Sequence, residues 1–145
     1  MFRKLISYYQ GLIAKLPSTG SIVLTRYLTS HSHFSVEKKI VKPNAFMPML
    51  NSQRNILETS VFKINELKNE DIWKLGVDHV IGISDKTLYG RAELQGENAQ
   101  KSGLSVEIDD NPPRHGTIHG WPAMKSEQKL LAIKLASVST LYMKN

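Results

Sequence analysis

The stretch that decides the fold is Thr59-Ser60-Val61-Phe62-Lys63-Ile64, followed after four residues by Asn69-Glu70-Asp71-Ile72-Trp73-Lys74-Leu75-Gly76. The first part alternates and reads as a strand. In the second, Asn69 is placed to cap a short helix over 70–75. Two acids stand in its first turn and Gly76 is placed to close it. A strand running so soon into a helix points to a mixed structure. Working outward, Ser21 to Leu28 and Val77 to Ile83 are β-rich, Ser84 to Thr87 reads as a turn, and Leu88 to Leu94 as a weaker strand. Gly96 to Gly103 reads as one helical segment. Leu104 to Ile108 is a short strand stopped by Asp109-Asp110-Asn111-Pro112-Pro113. After Pro122 a helix is expected to about Ala136, with Leu130, Leu131, Ile133, Leu135 and Ala136 on its buried side. Ser137 to Met143 alternates enough for a final strand.

At the N-terminus, Phe2, Leu5, Ile6, Tyr9, Leu12, Ile13 and Leu16 recur at helical spacing, and Pro17-Ser18-Thr19-Gly20 ends the pattern. Between Thr29 and Leu57 no period holds, yet Phe34, Val36, Ile40, Val41, Phe46, Met47 and Leu50 offer anchors. A patternless stretch of that length points to function or disorder. The expected organisation is an N-terminal amphipathic helix and linker over residues 1–20. Residues 21–145 follow as a single compact α+β domain, with a small mixed or antiparallel sheet and a C-terminal helix.

With 145 residues, 41% of them hydrophobic, the chain can bury a core without staples. It has no cysteine, which excludes a disulfide scaffold, a thiolate nucleophile, a zinc–thiolate site and an iron–sulfur cluster. No run approaches eighteen or so apolar residues, the length of a membrane-spanning helix. A soluble, cytoplasmic protein is the expectation. The net charge of +6 is unevenly placed: +7 over residues 1–57, −5 over 58–110 and +4 over 111–145. Segregated charge gives the field a direction, and the basic ends suit a polyanion such as RNA or a nucleotide. A basic face docking an acidic protein partner is the alternative.

Four of the five histidines fall in the two basic regions, as Ser30-His31-Ser32-His33-Phe34-Ser35 and Pro113-Arg114-His115-Gly116-Thr117-Ile118-His119. Two imidazoles beside Arg and Lys can move protons on a phosphodiester while the cations hold its oxygens, with no metal or cofactor. The candidates are His33 and His115 for proton transfer and Arg114, Arg91, Lys42, Lys39 and Lys38 for phosphate. His31 and His119 stand as supports. Structural alternatives stay open. Imidazoles among Ser, Thr and Gly also stabilise turns. Phe46 can be a stacking platform or a core anchor, and Arg91 can pair with Glu93 or Asp85. Asp109-Asp110 most simply makes a turn. A metal site built from His31, His33, His115 or His119 with Asp109 or Asp110 is disfavoured by the positive surroundings.

His33-Phe34-Ser35-Val36 and His115-Gly116-Thr117-Ile118 share a His–any–Ser/Thr–apolar pattern that resembles the paired motif of the two-histidine phosphoesterases. Those enzymes act on cyclic phosphates and RNA ends. The resemblance implies that His33 and His115 serve as acid and base and that Ser35 and Thr117 grip the phosphate. It departs from the family in having Pro112-Pro113-Arg114 ahead of the second motif, where the family has a hydrophobic strand, and in being short for that bilobed fold. More widely, His33-Phe34, Val41-Lys42-Pro43, Thr59-Ser60-Val61-Phe62, Asp71-Ile72-Trp73, Gly90-Arg91-Ala92, Pro113-Arg114-His115 and Gly120-Trp121-Pro122 resemble landmarks in a set of small uncharacterised bacterial proteins. That likeness carries no activity. The expected function is a small basic nucleic-acid-associated protein with a His/Arg phosphate site, of metal-independent RNase or phosphodiesterase type. The alternative is a non-catalytic binding or interaction subunit of a multi-protein bacterial assembly.

Overall fold

One long strand, β5 (Ile56–Lys63), is the element against which the others are laid. It pairs on one edge with β8 (His115–His119), which in turn pairs with β7 (Ser105–Ile108). Its other edge is shared. β4 (Met49–Asn51) pairs with residues 56–58, and β1 (Val23–Leu28) with residues 62–63. Beyond β1 lie β6 (Gly90–Gln95) and β9 (Thr140–Met143). The order is β7-β8-β5-β1-β6-β9 with β4 beside β5, and every pairing is antiparallel. Two short strands, β2 (Phe34–Ser35) and β3 (Ile40–Val41), form a separate hairpin. The helices are α1 (Asn69–Gly76), α2 (Gly96–Lys101) and α3 (Lys125–Ser137). The computed structural model describes residues 22–145 apart from Ile83 and shows a compact mixed α/β fold. The helix and linker expected over residues 1–20 lie outside the described residues.

Because strand side chains alternate, the sheet has two faces of different character. Leu24, Leu28, Val61, Ala92, Leu94 and Ile118 point to the face covered by α2, α3 and the irregular segment after β1. That segment is ordered because Phe34, Val41, Ala45 and Phe46 are all buried in this main core. Burial of a side chain like Phe46 or Val41 contributes roughly 1.5–3 kcal/mol. Phe46 is a core anchor and not a stacking platform. The opposite face carries Tyr27, Phe62 and Arg91 and is covered only in part, by Ile72, Trp73 and Leu75 of α1 and by Val80 and Ile81 after it.

Several sequence expectations are corrected. Val77–Ile81, expected as part of a strand over Val77–Ile83, is helical. It continues α1 as a wider π-helical turn, and Ile83 is not described. The apolar residues that looked β-like are there to reach Phe62 and Tyr27. Asn69 is the first helical residue and not the cap. Lys68 stands at the cap position without a side-chain bond, and Gly76 is the last residue of α1 but stays in helical conformation, so the chain runs on into a π-helical turn. Of the expected apolar set in α3, Leu135 and Ala136 are buried and Leu131 packs partly buried against the core. Leu130 and Ile133 are exposed, and Gln128 and Ala132 complete the inner face. A helix of 3.6 residues per turn puts 128, 132, 135 and 136 on one side, so 130 and 133 must face out. The strand His115–His119 was not anticipated either.

Gly76 is small for a packing reason. A Cβ there would stand 2.6 Å from a ring carbon of Tyr27, whose hydroxyl donates to the Ile72 carbonyl. In an exposed helix Gly→Ala stabilises by up to about 1 kcal/mol. Here the sign reverses: Gly76→Ala is expected to destabilise by about 2 kcal/mol through overpacking, read as a lower urea midpoint with unchanged m-value.

Candidate functional site

The β7–β8 hairpin builds the centre of the site. Its loop folds back on itself, with the Asp109 and Asp110 amides donating to the His115 carbonyl and the His115 amide to the Pro112 carbonyl, at 2.9–3.0 Å. Asp110 and Arg114 take left-handed backbone angles that let the loop close so tightly. The closure brings the Asp109 carboxylate to the His115 ring, Oδ1 to Nδ1 at 2.8 Å. On the far side of the ring, Nε2 lies 2.7 Å from the Ser60 hydroxyl. Ser60 is a diagonal neighbour of His115 across the β5–β8 pairing, because Ser60 faces Thr117 and Phe62 faces His115.

The proton positions follow from the partners. Burial works to raise the Asp109 pKa. The His115 hydrogen bond, the Asn111 amide and the imidazole charge oppose it, and the net shift is downward. An ionised carboxylate can only accept, so it fixes the proton on Nδ1. Nε2 is then left as the acceptor for the Ser60 hydroxyl. The relay therefore runs from Ser60 to His115 to Asp109. The ring is half-buried and packs edge-on against Phe62, with centroids 5.3 Å apart.

Arg26 supplies the charge. Beyond Thr25, β1 peels away from β5, and β4 takes up the edge only at Glu58. The guanidinium fills the gap, Nη1 donating to the Ser60 carbonyl at 3.0 Å and Nε to the Ala45 carbonyl at 2.8 Å. Burial lowers its pKa to about 10, so it stays a cation at neutral pH. Both partners are neutral carbonyls, and among the described residues no carboxylate pairs with it. A cleft of about 340 Å³ opens over this region. It is lined by Arg26, Ser60 and His115 with Phe62, His79 and Lys86 among the rest. His79 stacks on Phe62 at 6.4 Å. A second hollow, of about 220 Å³, shares Arg26, Met49 and Ser60 with the first and adds Met47, Leu50 and Glu58. The arrangement offers a hydroxyl, an oriented base and two cations, a set suited to an anionic ester.

The structure brings few of the sequence-derived candidates here. His115 is in the cleft. His33 does not line it, although Arg26 and Lys86 are near enough to act on its charge. Burial first, and then those two cations, push its pKa down to about 4, and its buried Nδ1 has no hydrogen-bond partner among the described residues. His31 packs on Tyr89 with centroids 4.3 Å apart, and the Ser35 hydroxyl receives the Lys38 amide in a turn. Lys38, Lys39 and Lys42 are exposed around the β2–β3 hairpin. Arg91 is buried between Trp73 and Tyr142 and pairs with Glu93 at 3.0 Å. Arg114 turns back to the Lys63 and Asn65 carbonyls. Thr117 is buried, and its hydroxyl has no partner among the described residues. His119 lies 3.7 Å from Glu107, in a separate hollow beside Trp121. The two His–any–Ser/Thr–apolar segments thus sit differently, one on β8 and the other spanning a 3₁₀ turn and β2. Among the described residues no group of three or more His, Asp or Glu side chains is placed to hold a metal. None of their helices is long and apolar enough to cross a membrane.

Ser60, Arg26, His79 and Lys86 carry no site motif in the sequence, and Asp109 stands there only as a turn residue or as a metal ligand beside His115. Arg26 did leave a signal, a lone cation inside the apolar strand Val-Leu-Thr-Arg-Tyr-Leu. Asp109 stands one tight loop ahead of His115. No protein-family model, curated protein or solved structure matches the chain.

The depressed His33 pKa has a stability consequence. The unfolded imidazole takes up a proton near pH 6.5, and the folded one resists until about pH 4. Stability is therefore full above pH 6.5 and is lost as pH falls toward 4. The loss is about 2 kcal/mol once solvent screening of the half-buried ring is allowed for. In urea titrations His33→Gln should flatten the pH dependence across that window. An unchanged slope would place its origin elsewhere.

Proposed function

We infer that the cleft over Arg26 is an active site for phosphodiesters, with RNA or a nucleotide as the substrate class. One observation supports this above the others: a histidine oriented by a carboxylate faces a cleft lined by a partly buried guanidinium that, among the described residues, pairs with no carboxylate. Arg26 and Lys86 hold the phosphoryl oxygens and stabilise the charge that grows on them in the transition state. His115 takes a proton from the attacking hydroxyl through Nε2 and returns it to the departing oxygen, while Asp109 stays ionised and steadies the imidazolium. In this reading His115 has the proton-transfer role that the sequence also suggests for it. The other lining imidazole is His79, not His33.

Lys38, Lys39 and Lys42 extend the positive field beside His33 and suit a polyanion longer than the cleft. Replacing all three by Ala should weaken RNA binding and reduce the slope of log affinity against log salt by roughly 1 for each phosphate no longer neutralised. Cleavage is a separate measurement. The full chain with single-stranded RNA or a 2′,3′-cyclic nucleotide, in excess EDTA, is expected to give product. His115→Ala should lower the rate at least about 100-fold. Lys86→Ala should mainly raise KM. Undiminished cleavage by His115→Ala, or none by the wild type, removes the assignment. RNA binding without turnover, equally strong in His115→Ala, would select the non-catalytic subunit.

A further inference from the structure

Resting on the phosphodiesterase reading of the same cleft, we propose that Ser60 is the nucleophile and that the reaction passes through a covalent phosphoseryl intermediate. Four features of the geometry point to this.

The Ser60 hydroxyl occupies the Nε2 side of His115 at 2.7 Å, the place where a general base accepts its proton. Asp109 stands behind the ring at 2.8 Å, so the base is held in the tautomer that can accept. Ser60 also lines both hollows together with Arg26, so its oxygen sits where the basic cleft meets the one containing Met47, Met49 and Leu50. An ester seated across that junction would have its phosphoryl group beside Arg26 and one alcohol portion among the methionines, whose flexible side chains adapt to varied shapes. The carbonyl of the same residue is held by Arg26 Nη1, which ties the nucleophile's backbone to the anion-binding group.

The steps balance without an outside redox partner. Ser60 Oγ bonds to phosphorus as its proton passes to His115 Nε2. The bond from phosphorus to the leaving oxygen breaks, and that oxygen takes the proton from the imidazolium. The phosphoseryl ester is then hydrolysed by water. Water oxygen bonds to phosphorus, its proton goes to Nε2, the bond from phosphorus to Oγ breaks, and Ser60 recovers the proton. The products are an alcohol and a phosphomonoester. Because the protein supplies the attacking hydroxyl, the substrate needs no neighbouring 2′-hydroxyl. Deoxynucleotide and simple aryl diesters belong to the substrate class.

Bis(p-nitrophenyl) phosphate, which has no neighbouring hydroxyl, tests this on the full chain. The wild type should release p-nitrophenolate. Acid quenching during turnover should trap a phosphoryl adduct, mapped to Ser60 by peptide mass spectrometry. Ser60→Ala should lose at least about 100-fold in rate, and trapping in the wild type covers the case of a variant that fails to fold. Cleavage of RNA that needs His115 but persists in Ser60→Ala, with no adduct, overturns the nucleophile and leaves the phosphodiesterase reading standing. Failure to cleave either RNA or the aryl diester overturns both. Ser60-dependent cleavage of p-nitrophenyl acetate without any diester cleavage overturns the phosphorus chemistry.

Discussion

The guanidinium of Arg26 closes a hole that the backbone leaves open. Where β1 and β4 both give up the edge of β5, the Ser60 carbonyl has no strand to pair with, and a buried carbonyl left alone costs about 1–3 kcal/mol. A planar fork of donors reaches both that carbonyl and the one at Ala45, which a lysine's single nitrogen could not do from the same stem. The break in the ladder is also what makes room for the cleft. A continuous β1–β5 pairing would have sealed it. One side chain thus repairs the sheet and charges the hollow that the defect creates.

The two faces of the sheet divide the labour. The face under α2 and α3 is apolar and close-packed and supplies most of the burial. The other face, only partly covered by α1 and the π-helical turn, carries the buried Phe62 and, beside it, Ser60 and His115, which are partly exposed to the cleft. A polar relay of this kind would be costly inside the main core. At the margin of the smaller cluster it stays connected to water, while Phe62 holds the imidazole from the side.

How far the sequence could be read differs between fold and site. The alternation of Thr59–Ile64 and the apolar–polar period of the last helix are local signals, so β5 and α3 were legible, although the inner face of α3 was not fully so. β8 was hidden because the prolines before His115 and the glycine at 116 mimic a turn. That glycine answers a cross-strand constraint, since a Cβ there would meet the Glu107 carbonyl at 2.7 Å. Val77–Ile81 misled for the opposite reason, being β-rich in composition but held helical by contacts with Phe62 and Tyr27. Within the site, His115 stood out by its motif and its basic neighbours. Ser60, distant in sequence, gained its meaning only from the register that sets it diagonally across from that imidazole.

The sequence alone determined an α+β chain without thiol chemistry, with basic ends and histidines concentrated in them. Composition and period are properties of neighbouring residues and need no fold to be read. Tertiary structure decided which polar groups meet. Strand register, a tight hairpin loop and a gap between β1 and β4 set Ser60, His115, Asp109 and Arg26 together, while Arg91, Arg114 and His33 were drawn into other contacts. Hydrogen bonds act over about 3 Å, and only the folded backbone fixes distances between residues so far apart along the chain.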